Sequence, residues 1–173
     1  MLNSIWLFLF LAVLALAAII AVVVYLVRRH DESPNNREVY LAYENPDFTD
    51  LAGFHFESYP DNDVLIPGRS WLVNNNTAEI EYTIVPGKIG RLRAAPESML
   101  DIPPDFDGAV FEASDQYEVA GTTVTQQNSP GRKATLSWSK DGFDYFFYAE
   151  DPEMNTMGGL STDFVTLTKA SNS

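Results

Sequence analysis

Five basic side chains form the main concentration of positive charge in the part of the sequence that is expected to fold. They are Lys88, Arg91, Arg93, Arg132 and Lys133. The chain as a whole is acidic, with 24 Asp and Glu against 11 Lys and Arg and a net charge of −13. If the two segments lie on neighbouring strands, these side chains form a small patch for an anion or a partner. Alternatively, the arginines pair across strands with Glu79 and Glu81, a common arrangement in sheets.

His55 is the only histidine in the predicted folded region, and Glu57 shares its face if the segment is a strand. A hydrolase would use Glu57 to orient His55 as a base, with Ser58 or Ser70 as the nucleophile. The sequence contains no nucleophile elbow, however, and Ser and Glu are common on exposed strand faces. We therefore identify no catalytic residue, and the hydrolase is the alternative function. With one histidine in the folded region and no cysteine in the chain, the usual ligand set of a zinc site is not available. We also expect no other cofactor.

Two acidic segments carry the hard oxygen ligands that Ca²⁺ prefers. The aspartates are Asp61, Asp63, Asp101, Asp105 and Asp107. The segment Asp105–Gly108 lacks the later ligand positions and the final glutamate of an EF-hand loop. Asp and Asn also initiate turns by bonding their own backbone. We favour this second interpretation, and calcium binding stays an open alternative.

Residues 44–173 are expected to form one α+β domain, built on a mainly antiparallel β-sheet with a short N-terminal helix and a C-terminal helix packed on it. Asp47 to Ala52 is long enough for one helical turn, which Gly53 ends. The clearest strand is Glu79 to Ile84, because Ile80, Tyr82 and Ile84 alternate with polar residues. Pro67-Gly68 is expected to break the chain.

Asp141-Gly142 predicts a hairpin that buries Trp138 and Tyr145. The returning strand, Phe143 to Ala149, is nearly apolar on both faces and should lie centrally with a second layer over it. We expect that layer to be a helix starting at Ser161 or Thr162, with Phe164 and Leu167–Thr168 facing the sheet, although the pattern from Thr162 to Thr168 is also compatible with a strand.

The N-terminal segment predicts a membrane anchor. From Ile5 to Val27 the chain has 23 residues, all apolar except for the hydroxyl of Tyr25, and a helix of this length crosses a hydrocarbon core of about 30 Å. The run exceeds a signal-peptide core, and no basic region precedes it. We therefore expect a single-pass protein that contacts the lipid bilayer through residues 5–27.

Residues 28–43 are predicted to form a flexible spacer, since the polar stretch from His30 to Glu38 shows no periodicity. Arg28 and Arg29 follow the span, and the positive-inside rule accordingly favours a cytoplasmic domain. The acidic balance argues against a nucleic-acid partner, because phosphate contacts need a basic surface.

A series of short segments points to one bacterial family. They are Glu44-Asn45-Pro46, Ala52-Gly53-Phe54, Ala78–Tyr82, Arg93-Ala94-Ala95, Asp101-Ile102, Asp105-Phe106, Val119–Thr125 and Ala134–Tyr145. Over about residues 44–170 the chain resembles a bacterial family of unknown function. Its domain occurs in lipoproteins and at the C-termini of membrane-anchored, anti-sigma-like proteins. The resemblance implies a compact domain outside the cytoplasmic membrane, and it implies no activity, cofactor or catalytic residue.

The chain departs from that family by lacking a lipobox cysteine and a zinc-binding anti-sigma region, so sigma-factor control is not implied. We expect a membrane-anchored, non-catalytic binding or sensing module, displayed outside the membrane, whose protein or small-molecule partner is unknown. A cytoplasm-facing membrane adaptor is a further alternative, in agreement with the arginines.

Overall fold

A computed structural model describes residues 40–43, 47–129, 132–150 and 154–172. The chain divides into two compact units, Met1–Arg37 and Glu38–Ser173, and all described residues belong to the second. The predicted span 5–27 and most of the predicted spacer 28–43 lie outside the described residues. Among the residues that are described, no helix is both long and apolar enough to cross a membrane.

The described residues form an eight-stranded antiparallel sheet, a two-stranded sheet and two helices. The order in the large sheet is β1-β3-β4-β5-β9-β8-β7-β6, and β10 pairs with β2 in the small one. The strands are β1 Tyr40–Tyr43, β2 Phe54–Ser58, β3 Leu65–Val73, β4 Thr77–Ile84, β5 Lys88–Pro96, β6 Ala113–Val119, β7 Thr122–Ser129, β8 Lys133–Lys140, β9 Phe143–Glu150 and β10 Lys169–Asn172. The helices are α1 Thr49–Ala52 and α2 Met154–Leu167. The prediction of a mainly antiparallel sheet with a C-terminal helix is confirmed.

One face of the large sheet, the helix face, packs against α2. The ring of Phe164 lies 4.3 Å from the ring of Phe147 and 5.3 Å from that of Tyr82, measured between centroids. Ile80, Tyr82 and Ile84 are all buried here, as their alternation predicts. Burial of such side chains provides about 1.5–3 kcal/mol each, so this layer is the main core.

The opposite face, the loop face, is partly covered by residues 97–112, the covering loop. Phe106 in this loop packs on Phe146 and Tyr148 of β9, at centroid distances of 6.2 and 4.9 Å. Strand β9 is central and covered on both faces, and the predicted helix covers one of them, but the covering loop on the other face was not predicted. The helix covers Phe147 and the loop covers Phe146, because successive strand residues point to opposite faces.

The hairpin between β8 and β9 turns at Asp141 and Gly142, whose φ values of 55° and 82° fit a type I′ turn. Trp138 and Tyr145 lie directly opposite each other, and their rings stack at 5.1 Å. Both are at least 96% buried. The predictions of a turn at Asp141-Gly142 and of burial of Trp138 and Tyr145 are therefore confirmed.

Three local predictions were wrong. Pro67-Gly68 does not end a strand but lies within β3, where the register shifts between Pro67 and Ser70. Helix α2 begins at Met154 rather than at Ser161 or Thr162, since packing of an apolar face outweighs the low helix propensity of its glycines. Leu167 is 44% exposed rather than facing the sheet.

Candidate binding site

The predicted basic residues do not form a single patch. Strand β9 lies between β5, which carries Lys88, Arg91 and Arg93, and β8, which carries Lys133. The condition of neighbouring strands is therefore not met. Lys88 and Arg91 line a hollow of about 510 Å³ that also contains Glu81 and Glu150, so carboxylates oppose its positive charge.

Arg93 takes part in a buried network on the loop face. Its guanidinium Nε lies 2.7 Å from Oε2 of Glu79, and both side chains have no exposed surface. The Tyr148 hydroxyl donates to the same carboxylate oxygen at 2.8 Å, and Arg93 Nη1 donates to the carbonyl of Asp101 at 2.9 Å. Burial, followed by the charge of Glu79, raises the pKa of Tyr148. The network thus fixes the covering loop on the sheet.

Arg91 lies at the edge of this network and is more accessible. It pairs with Glu81 at 3.4 Å and approaches Glu79 at 3.7 Å, and it stacks over the Trp71 ring at 5.8 Å. Burial lowers the pKa of Arg91, but contacts with Tyr148, Glu79 and Glu81 outweigh that effect and leave it raised. These contacts match the alternative in which the arginines pair with Glu79 and Glu81.

Arg132 and Lys133 lie in a separate hollow of about 470 Å³, together with Glu150 and Asp105. Arg132 forms an ion pair with Glu112 of the covering loop. The Lys133 ammonium donates to the carbonyl of Asp105 at 3.2 Å and lies 5.6 Å above the Phe106 ring. Both cations therefore contact the loop.

His55 contacts a serine that the sequence analysis did not consider. Its Nε2 lies 3.5 Å from the hydroxyl of Ser171, which is its register partner on β10. Glu57 forms an ion pair with Lys169, and hydrogen bonds from Lys169 and Ser171 lower its pKa. A contact of 3.5 Å is longer than the 2.6–3.2 Å or so of a general-base pair, and Glu57 is engaged with Lys169. Ser171 was missed because its strand was not predicted.

The five aspartates considered as calcium ligands differ in their surroundings. Asp101 anchors the covering loop, since its backbone N–H donates to Thr77 Oγ1 at 3.0 Å and its carboxylate accepts from Asn74 at 3.0 Å. Asp61, Asp63, Asp105 and Asp107 are exposed. Within the described ranges, no group of three or more potential ligands could hold a metal ion.

A groove of about 430 Å³ lies where the covering loop meets the strands β7, β8 and β9 on the loop face. We call it the hydroxyl groove. Its lining comprises Ser98, Leu100, Ile102, Thr123, Thr125, Ser137, Trp138, Ser139, Asp144, Tyr145 and Phe146. Because alternate residues share a strand face, Thr123 and Thr125 on β7 lie beside Ser137 and Ser139 on β8.

Asp144 is the one acidic side chain in this lining, and both of its carboxylate oxygens are engaged. Oδ1 accepts from the Ser139 hydroxyl at 2.6 Å, and Oδ2 accepts from the backbone N–H of Ser98 at 2.8 Å. Asp144 therefore joins the sheet to the loop wall and holds the groove in shape. The Thr125 hydroxyl accepts from Gln116 on β6 at 3.1 Å.

The hydroxyl groove was not predicted from the sequence, although a signal for it was present. Thr135, Ser137 and Ser139 alternate with Ala134, Leu136 and Trp138, so a polar strand face was visible. That pattern normally indicates a solvated face, and only the position of the covering loop makes it the floor of a groove.

Comparisons with known protein families, with characterised proteins and with solved structures found no match to this chain. The hydroxyl groove therefore has to be interpreted from its own geometry.

Proposed function

We propose that the chain is a membrane-anchored, non-catalytic binding or sensing module, displayed outside the cytoplasmic membrane, which holds its ligand in the hydroxyl groove. The preformed groove is the observation that carries the binding role. Its floor belongs to three neighbouring strands, β9, β8 and β7, and Asp144 ties its wall to that floor. Concave sites with a few fixed polar groups are typical of ligand-binding proteins.

The apolar run from Ile5 to Val27 supports the anchor, since 23 residues suffice to cross a bilayer. The outward placement extends the family resemblance that the short segments of residues 44–170 suggest, since that family is extracytoplasmic. Arg28 and Arg29 favour a cytoplasmic domain instead, under the positive-inside rule. This bias is small, because it rests on two basic residues on one side of the span and none in the four residues on the other side.

Reporter fusions after Ser173 test the placement. We expect alkaline phosphatase to be active there and a fluorescent protein that folds only in the cytoplasm to be dark. A variant lacking residues 5–27 serves as the control and should give the reverse pattern. A fluorescent full-length fusion would overturn the outward placement.

Carbonate extraction of membranes tests the anchor. The full chain should stay in the membrane fraction, because a spanning helix does not depend on surface electrostatics. Recovery of a soluble species that begins near Arg28 would show that the segment is cleaved instead.

A further inference from the structure

We infer that the hydroxyl groove binds a neutral oligosaccharide. This inference rests on the proposed function and assigns the chemical class of its ligand. The Thr123 and Ser137 hydroxyls line the groove, and neither has a hydrogen-bond partner among the described residues. A ligand that both donates and accepts hydrogen bonds can use them, because each hydroxyl is itself a donor and an acceptor.

The spacing of these groups suits a chain of repeated polar units. Side chains two residues apart on a strand are separated by about 6.8 Å, and neighbouring strands lie about 4.8 Å apart. Thr123, Thr125, Ser137 and Ser139 therefore form a two-dimensional grid on β7 and β8. A polyhydroxylated ligand presents several hydroxyls at once and can contact more than one point of such a grid.

The charge of the groove and of the chain disfavours both cationic and anionic ligands. Asp144 has both oxygens engaged with Ser139 and Ser98, so it offers little to a cation. The groove lining contains no lysine or arginine to hold a phosphate or a carboxylate, and the net charge of −13 repels anionic polymers. A neutral ligand needs neither a free carboxylate nor a basic side chain in the groove.

The loop wall supplies the apolar contact that a sugar ring also needs. Leu100 and Ile102 of the covering loop are only partly buried and line the groove together with Phe146, against whose aromatic cluster they pack. A sugar ring has C–H faces as well as hydroxyl edges. It can therefore pack on the wall while its edge bonds to the floor, and burial of apolar surface adds to the affinity.

The test is calorimetric titration of the full chain in detergent micelles. The neutral probes are hexamers of glucose and of N-acetylglucosamine. The comparison probes are a hexamer of galacturonic acid, which is anionic, and an uncharged Gly-Ser peptide of similar length. We expect saturable binding of at least one neutral hexamer and weaker binding of both comparison probes.

The Thr123→Val/Ser137→Ala variant should lose at least tenfold in affinity for that hexamer, which corresponds to about 1.4 kcal/mol. Thr83→Val is the matched control, because Thr83 is an exposed threonine of β4 outside the groove, and it should bind like the parent. Circular dichroism with thermal unfolding shows that each variant is folded.

Three results would overturn the assignment: no binding of either neutral hexamer, equal binding of the acidic hexamer or the peptide, or a groove variant that binds like Thr83→Val. An active phosphatase fusion together with no hexamer binding overturns only the ligand class. A cytoplasmic domain overturns the proposed function itself.

Discussion

On the loop face, β4 and β5 hold two charged side chains that are completely buried (the charged half), whereas β7 and β8 hold uncharged hydroxyls that solvent reaches (the hydroxyl half). Glu79 and Arg93 have no exposed surface, but Thr123 and Ser139 are exposed. Burying a charge lowers stability unless the charge is paired and hydrogen-bonded, and here Glu79 and Arg93 pair with each other while the covering loop provides the Asp101 carbonyl for Arg93. Among its described residues, the hydroxyl half contains no buried charge that needs such compensation. The hydroxyls of Thr123 and Ser137, which have no partner within the described part of the chain, therefore stay available to a ligand.

The largest effect should come from breaking the buried ion pair. Glu79→Leu or Arg93→Met alone should reduce the free energy of unfolding by about 3–5 kcal/mol, because each leaves one charge buried without compensation. The double variant should lose less than either single variant. Urea unfolding followed by near-ultraviolet circular dichroism measures all three.

The matched control is Glu81→Leu, which removes a carboxylate from more accessible pairs with Arg69 and Arg91. It should lose only about 0–1 kcal/mol. If the Glu79 variant were no less stable than this control, the burial of the Glu79–Arg93 pair would have no effect on stability. The contrast between buried charges and accessible hydroxyls would then have no energetic basis.

A second prediction concerns Trp138, which lies between the groove residues Ser137 and Ser139 in sequence but points to the helix face. Trp138→Ala should reduce the free energy of unfolding by about 3–5 kcal/mol, as expected for a large buried aromatic residue. Its ring is 4% exposed and stacks on Tyr145. A loss below about 1 kcal/mol in urea unfolding would place Trp138 at the surface and reverse the facing of β8.

Tyr148→Phe separates the hydrogen bond from the packing in the charged half. The hydroxyl donates to the Glu79 carboxylate at 2.8 Å, and a bond to a charged group contributes about 1.5–3 kcal/mol. Tyr117→Phe is the control, because that hydroxyl donates to the neutral amide oxygen of Gln126 at 2.9 Å and should contribute about 0.5–1.5 kcal/mol. Equal losses in the free energy of unfolding would mean that the charge of Glu79 does not strengthen its hydrogen bond with Tyr148.

The sequence predicted strands and their buried faces wherever apolar and polar residues alternate over several positions or a turn motif is present. The strand around Ile80 and the hairpin at Asp141 are examples, since both signals are local. Alternation could not show that Glu79, on the polar face of its strand, is fully buried. That burial depends on the covering loop and on Tyr148, which is 69 positions away in the sequence, and no local pattern reports either.

The candidate site was less predictable for the same reason. The pairing of Arg91 and Arg93 with glutamates was predictable, because β4 and β5 are consecutive strands that pair with each other. The separation of Lys88 from Lys133 was not predictable, because it results from the position of β9 between β5 and β8. Strand order is a non-local property. The contact of His55 with Ser171 likewise joins residues 116 positions apart.

The smallest effect on stability is expected at the groove floor. Ser137→Ala should change the free energy of unfolding by no more than about 0.5 kcal/mol, which is usual for a partly exposed polar side chain without a bonding partner. Ser139→Ala should lose more, about 1 kcal/mol, because its hydroxyl donates to Asp144 at 2.6 Å. Urea unfolding of both variants under identical conditions gives the difference. A loss above about 1 kcal/mol for Ser137→Ala would mean that the hydroxyl already serves the fold, and the groove would then have one group fewer to offer a ligand.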